Sequence, residues 1–153
     1  MKHPAALIVL ALAAAACGGS SGTTSPAAGI TDSSDVHIFA ASVEAPAANG
    51  IAQVVADLHN AGDTKDALVW VSCDCGGTAT LFELGATKPA TSIALPSEKV
   101  VLFGPRGARI ELSDLPQQLA VGSTVTLTFS FATTTPASAT AAVERPASPS
   151  PAT

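Results

Sequence analysis

The sequence predicts an all-β domain built as an antiparallel β-sandwich, on three observations. Apolar residues recur with period two, turn-forming residues break the pattern about every eight to twelve positions, and no segment repeats with the period of a helix. The stretch TVTLTFSF (124–131) is the clearest case: Val125, Leu127, Phe129 and Phe131 face one way, Thr124, Thr126, Thr128 and Ser130 the other. Such a strand has one buried and one wet face.

Taken in order, the chain opens MKHPAALIVLALAAAACGGSSGTTSP. Lys2 supplies a positive start, and Ala5 to Ala16 form an apolar run of twelve residues. A membrane span takes roughly 20 apolar residues, so this run suits an export signal and is too short to cross a bilayer. Small residues precede Cys17, and the whole resembles a bacterial lipoprotein signal (1–16), although Ala14 stands where a leucine is usual. It implies cleavage before Cys17, a lipid on its sulfur and an extracytoplasmic, membrane-anchored chain. Residues 17–31, rich in Gly, Ser, Thr, Pro and Ala, read as the lipidated cysteine and a flexible tether.

The domain is expected over 32–145. Its candidate strands are VHIFAASVE (36–44), IAQVVADLH (51–59), ALVWVSC (67–73), TATLFEL (78–84), TSIAL (91–95) and KVVLF (99–103). ARIEL (108–112), TVTLTFSF (124–131) and SATAAVE (138–144) complete the set. The intervening NAGDTKD, CGG, GPRG and AVGS carry turn chemistry, and DLPQQLAVG makes one helical turn at most. Residues 146–153, with Pro, Ala and Ser, form an unstructured tail.

After removal of 1–16, twelve acidic side chains stand against Lys65, Lys88, Lys99, Arg106, Arg109 and Arg145, a net charge of −6. With no basic stripe and few aromatic residues, nucleic acid is not an expected partner. An acidic chain adsorbs poorly to anionic lipid, so its membrane contact rests on the covalent anchor. No H-E-x-x-H or glycine-rich phosphate loop is present, and DSSD (32–35) lacks the spaced ligands of a calcium loop. Catalysis is not expected, and the catalytic set is empty.

VSCDCGG (71–77) holds the remaining cysteines, Cys73 and Cys75. On a continued strand both thiolates would point to one side, as a Cu(I) clip requires. Asp74 between them and Gly76-Gly77 after them favour a turn, and outside the cytoplasm paired thiols oxidise. A disulfide across one residue needs the α-carbons within about 7 Å. Disulfide or redox-labile pair, unpaired thiols, and a Cu(I) or Zn(II) clip therefore all stay open, with no second pair to complete a structural zinc site. His37, alternating with Val36 and Ile38, and His59, on the polar side of its strand with Gln53, Val55 and Asp57, read as surface histidines. A site between them would require neighbouring strands in matching register.

The order of NAGDTKDAL (60–68), LVWVSCDCGGTATLFE (68–83), GPRGARIELSDL (104–115) and LAVGSTVTLTFSF (119–131) resembles the PCu(A)C-type periplasmic copper chaperones. The resemblance spans roughly 36–131 and implies a cupredoxin-like sandwich that carries Cu(I) on histidine and methionine. Ungapped alignment puts the family's ligand positions at Phe82, Leu84, Ala108 and Ile110, none of which can coordinate a metal. After Met1 the chain has no methionine to rebuild such a site. The resemblance also gives Asn60 and Asp66 the role of fixing the turn between them. The expected function is thus a cell-surface, non-enzymatic binding or accessory module that has lost its copper site, with an envelope protein as partner. The alternatives are a Cu(I) chaperone using Cys73 and Cys75, and a purely structural envelope lipoprotein.

Overall fold

The computed structural model describes residues 30–31, 35–46 and 50–146. The expected export signal (1–16), Cys17, and most of the expected tether and tail lie outside them. The described residues form ten strands and no helix: β1 (Ile30–Thr31), β2 (Val36–Glu44), β3 (Ala52–Asn60), β4 (Asp66–Cys73) and β5 (Thr78–Phe82) come first. They continue with β6 (Ile93–Leu95), β7 (Lys99–Phe103), β8 (Arg109–Ser113), β9 (Thr124–Phe131) and β10 (Ala137–Glu144). Ile30–Thr31, read from sequence as the end of the tether, pair with Ala139 and Ser138 of β10.

Hydrogen bonding joins the strands in the order β5-β8-β3-β2-β10-β9-β4-β6, and the sheet curls into a near-barrel of cupredoxin-like type. The all-β expectation holds, with one addition: β10 and β2 run parallel, through Ala142↔Ser42, Val143↔Val43 and Glu144↔Glu44, so the sheet is mixed. On one edge of β3, β8 covers Ala52 to Val54 and β7 covers Ala56 to Asn60, both antiparallel to it. β7 and β8 are thus two halves of one strand position, separated by the excursion Gly104–Ala108. That excursion is pinned by Ala108 N donating to Leu102 O at 3.0 Å and Gly104 N donating to Ala108 O at 2.8 Å. A Cβ at Gly107 would collide with the Leu102 carbonyl, which is why a glycine closes it.

The core follows the period-two pattern. β9 buries Val125, Leu127, Phe129 and Phe131, β10 buries Ala137, Ala139, Ala141 and Val143, and β3 buries Ala52, Val54, Ala56 and Leu58. Two bulges interrupt the alternation. β2 gains one residue against β3 between Phe39 and Ser42, with Ala40 at φ 50°, and the inward set switches from Val36 and Ile38 to Ala41 and Val43. β4 shifts against β9 between Leu68 and Trp70, leaving Val69 and Trp70 on the outside. An extra residue reverses which parity faces in, so both strands bury residues of opposite phase at their two ends.

Two buried polar side chains tie the end of the barrel where β3 meets β4. Asn60 donates from Nδ2 to Thr64 O at 2.8 Å and to Leu95 O at 2.9 Å, and its Oδ1 accepts from Gly62 N at 3.1 Å. It therefore closes the 61–65 turn and holds β6 to it. Asp66 accepts from Ala67 N at 2.7 Å, from Thr133 N and Thr134 N at 3.0 Å each, and from the Thr134 hydroxyl at 2.7 Å, clamping the β9–β10 turn onto the start of β4. Burial raises the carboxyl's pKa, but the hydrogen bonds from Thr134, Ala67 and Thr133 to the charged form outweigh it and lower the value from 3.8 to about 2.

A carboxylate depressed on folding stabilises the native state above its unfolded pKa, and that stabilisation is lost as pH falls through the folded one. Asp66→Asn is therefore expected to cost about 2 kcal/mol at neutral pH and to flatten the decline in stability between pH about 4 and about 2, as read by urea denaturation across that range. Asn60→Ala leaves the Thr64 and Leu95 carbonyls without their donor and is expected to lower the unfolding free energy by roughly 1–3 kcal/mol, read as a lower urea midpoint at unchanged slope.

Candidate functional site

Cys73 ends β4, and the chain turns at once. Cys73 and Cys75 are joined by a disulfide with the α-carbons 5.0 Å apart. Gly76 N donates to Cys73 O at 3.1 Å, and Gly76 and Gly77 take positive φ, 78° and 86°. At Gly77 a Cβ would also lie 2.6 Å from Ser113 O, so the position excludes a side chain on two counts. Asp74 fixes the turn to the neighbouring strand: its N donates to Thr126 O at 3.0 Å and its Oδ1 accepts from Thr126 N at 2.9 Å. Both cysteines are half-buried, and Cys75 lines a hollow of about 470 Å³ with Asp74, Gly76 and the segment Pro116 to Ala120. In the oxidised form the two sulfurs carry no thiolate to offer a metal; reduction would release two adjacent ones.

The four positions assigned to the family's ligands lie around the β5–β8 pair. Phe82 ends β5 and is 9% exposed, Leu84 is 72% exposed in the turn beyond it, Ala108 is 6% exposed, and Ile110 is fully within the core. Leu84 and Ala108 line one shallow hollow of about 420 Å³, together with Ile93, Val101 and Leu102. Across the ladder Phe82 pairs with Arg109. The Arg109 guanidinium lies 4.8 Å from the Phe82 ring centroid, and its Nη2 donates to Ala86 O at 2.9 Å. Its Nε is buried without a hydrogen-bond partner, with a Glu111 carboxylate oxygen 3.7 Å away. The outer side of β5–β8 thus carries a cation stacked on an aromatic ring. Sequence reasoning did not single out Arg109. The signal was there in the alternation of β8, which buries Ile110 and Leu112 and turns Arg109 and Glu111 away from the core.

His37 and His59 stand directly opposite each other on β2 and β3. Their ring centroids are 6.2 Å apart, and Phe39 lies 6.4 Å from each. Among the described residues no group of three or more His, Cys, Asp or Glu side chains is placed to hold a metal ion.

Comparison with known proteins fits this geometry. The model of the LpqE-like lipoprotein family matches residues 33–143, nearly the whole described domain. No curated protein matches the chain. Among solved structures, the apo PCuAC domain from PmoF1 superposes with a TM-score of 0.69 at 27% identity, over 77% of this chain and 100% of that one. The copper-bound PCuAC domain from PmoF2 gives 0.68 at 24% identity, over 77% of this chain and 99% of that one. The chain belongs to the LpqE-like lipoprotein family and has the all-β, cupredoxin-like fold of PCuAC domains.

Proposed function

We propose that this chain is a lipid-anchored, extracytoplasmic binding module without catalytic activity, in which the fold of a copper-carrying domain persists without its His/Met copper site. The observation that carries this reading is the apolar occupancy of Phe82, Leu84, Ala108 and Ile110, with Arg109 stacked on Phe82 at 4.8 Å. A fixed cation at this place opposes the approach of a metal cation, and apolar side chains offer it no donor. The module acts through an envelope protein partner, held at the membrane by a lipid on Cys17. The family assignment and the export-signal pattern ahead of Cys17 support that placement. With Cys17→Ser the chain is expected to move from the detergent phase to the aqueous phase in a Triton X-114 partition; the unchanged protein is expected in the detergent phase.

A second reading has its own support. Cys73 and Cys75 are held in one turn at a Cα separation of 5.0 Å, beside a hollow of about 470 Å³. When reduced, two thiolates suit soft Cu(I). A Cu(I) competition titration on the reduced protein under anaerobic conditions separates the readings. The binding-module reading expects no stoichiometric Cu(I) uptake. Uptake at sub-nanomolar dissociation constants that disappears in Cys73→Ser/Cys75→Ser would instead make the chain a Cu(I) carrier with relocated ligands.

A further inference from the structure

The outer face of β2, β3 and β7 carries a feature that neither reading above uses. In register, His37 of β2 faces His59 of β3, and His59 faces Val100 of β7. The next outward row is Phe39, Asp57 and Leu102. Directly opposed residues on antiparallel strands hold their Cβ atoms about 4.5–5.5 Å apart, on the same face of the sheet. Both imidazoles therefore project side by side from adjacent strands, and their centroids are 6.2 Å apart.

We propose that His37 and His59 form a two-imidazole site for a divalent transition-metal ion, with Cu(II) held ahead of Zn(II). Imidazole nitrogen binds such ions at about 2.0–2.1 Å, so one ion fits between two rings at the observed spacing after rotation about their side-chain torsions. The backbone need not move, because the register already sets the pair. Imidazole suits copper, zinc and nickel, and the stability order of first-row ions places Cu(II) highest for a given nitrogen site.

The surroundings favour a cation. The two rows hold one carboxylate, Asp57, and neither lysine nor arginine. Arg106 stands farther along, in a small hollow it shares with Asp57 and Leu102. Phe39, Val100 and Leu102 are 47%, 53% and 47% exposed and give the pair an apolar border. Such a border thins the water around the ion and strengthens its attraction to Asp57. With only two protein donors the remaining coordination positions stay open to water or to a ligand from another molecule. The site is exchangeable and loads or releases its ion readily, unlike a closed structural centre.

The test uses the full untagged chain with the Cys73–Cys75 disulfide intact. Its background is His3→Ala/Cys17→Ser, which leaves His37 and His59 as the only histidines and removes the third cysteine. Cu(II) is titrated against a weak competing chelator, and the bound ion is examined by electron paramagnetic resonance. The expected result is one equivalent of Cu(II) bound with a micromolar dissociation constant and a spectrum showing two imidazole nitrogens. His37→Ala and His59→Ala should each weaken binding on the order of tenfold or more, and Zn(II) should compete only in excess. The proposal is overturned if binding fails to saturate below about 1 mM, if either single variant binds as the parent does, or if the spectrum shows fewer than two imidazoles. The spectrum needs no substitution at the pair, so it decides even where a variant does not fold.

Discussion

Strand β3 sets the register of half the molecule, and most of what the surface offers follows from it. One of its edges takes β2 along nearly its whole length; the other is divided between β7 and β8. Because both halves pair with the same strand, the chain between them has to leave the sheet and return, which makes the Gly104–Ala108 excursion. The return point fixes the phase of β8. Ile110 and Leu112 enter the core, so Arg109 and Glu111 stay outside and Arg109 meets Phe82 across the β5 ladder. On the other edge the same constraint brings His59 opposite His37. Both features are products of hydrogen-bond register, since a slip of one residue would turn every one of these side chains to the opposite face.

The polar clamp at the far end of β3 complements this. Among the described residues Asn60 and Asp66 are the two polar ones that are buried, and each answers main-chain groups that β-structure leaves unpaired at its ends. Unmatched, those groups would carry a desolvation cost comparable to a lost hydrogen bond. Their placement in a turn and their multiple partners make them structural, in keeping with the role the family resemblance gave them. A protein whose interior is otherwise aliphatic, alanine-rich and thin in aromatic residues relies on such local fastening to hold one packing.

Much of the fold could be read from period-two alternation. The strands 36–44, 99–103 and 124–131 have their expected bounds, and the others differ at their ends by one or two residues. What alternation could not show were the bulges. VHIFAASVE contains two phases of the same pattern, and only the pairing with β3 reveals where one gives way to the other. The same limit applied to the sites. CDC in a glycine-rich setting was compatible with disulfide, free thiols or metal clip, because the choice depends on whether the chain bends after Cys73. The two histidines were visible singly, but their pairing is a property of neighbouring strands, which sequence order does not state. The stacking of Arg109 on Phe82 is likewise a product of the β5–β8 register, which sequence order does not state.

The parallel contact of β10 with β2 and the antiparallel contact of β1 with β10 together give the domain a direction. β1 runs away from the pole at which Glu144 leads out of β10, and its residues Ile30 and Thr31 pair with Ala139 and Ser138, close to the start of β10. Glu44 lies at the same pole, and His37, seven residues earlier on β2, stands about 20 Å from it. His37, Phe39 and His59 thus sit toward the opposite end of the β2–β3 ladder from the point at which the chain leaves β10.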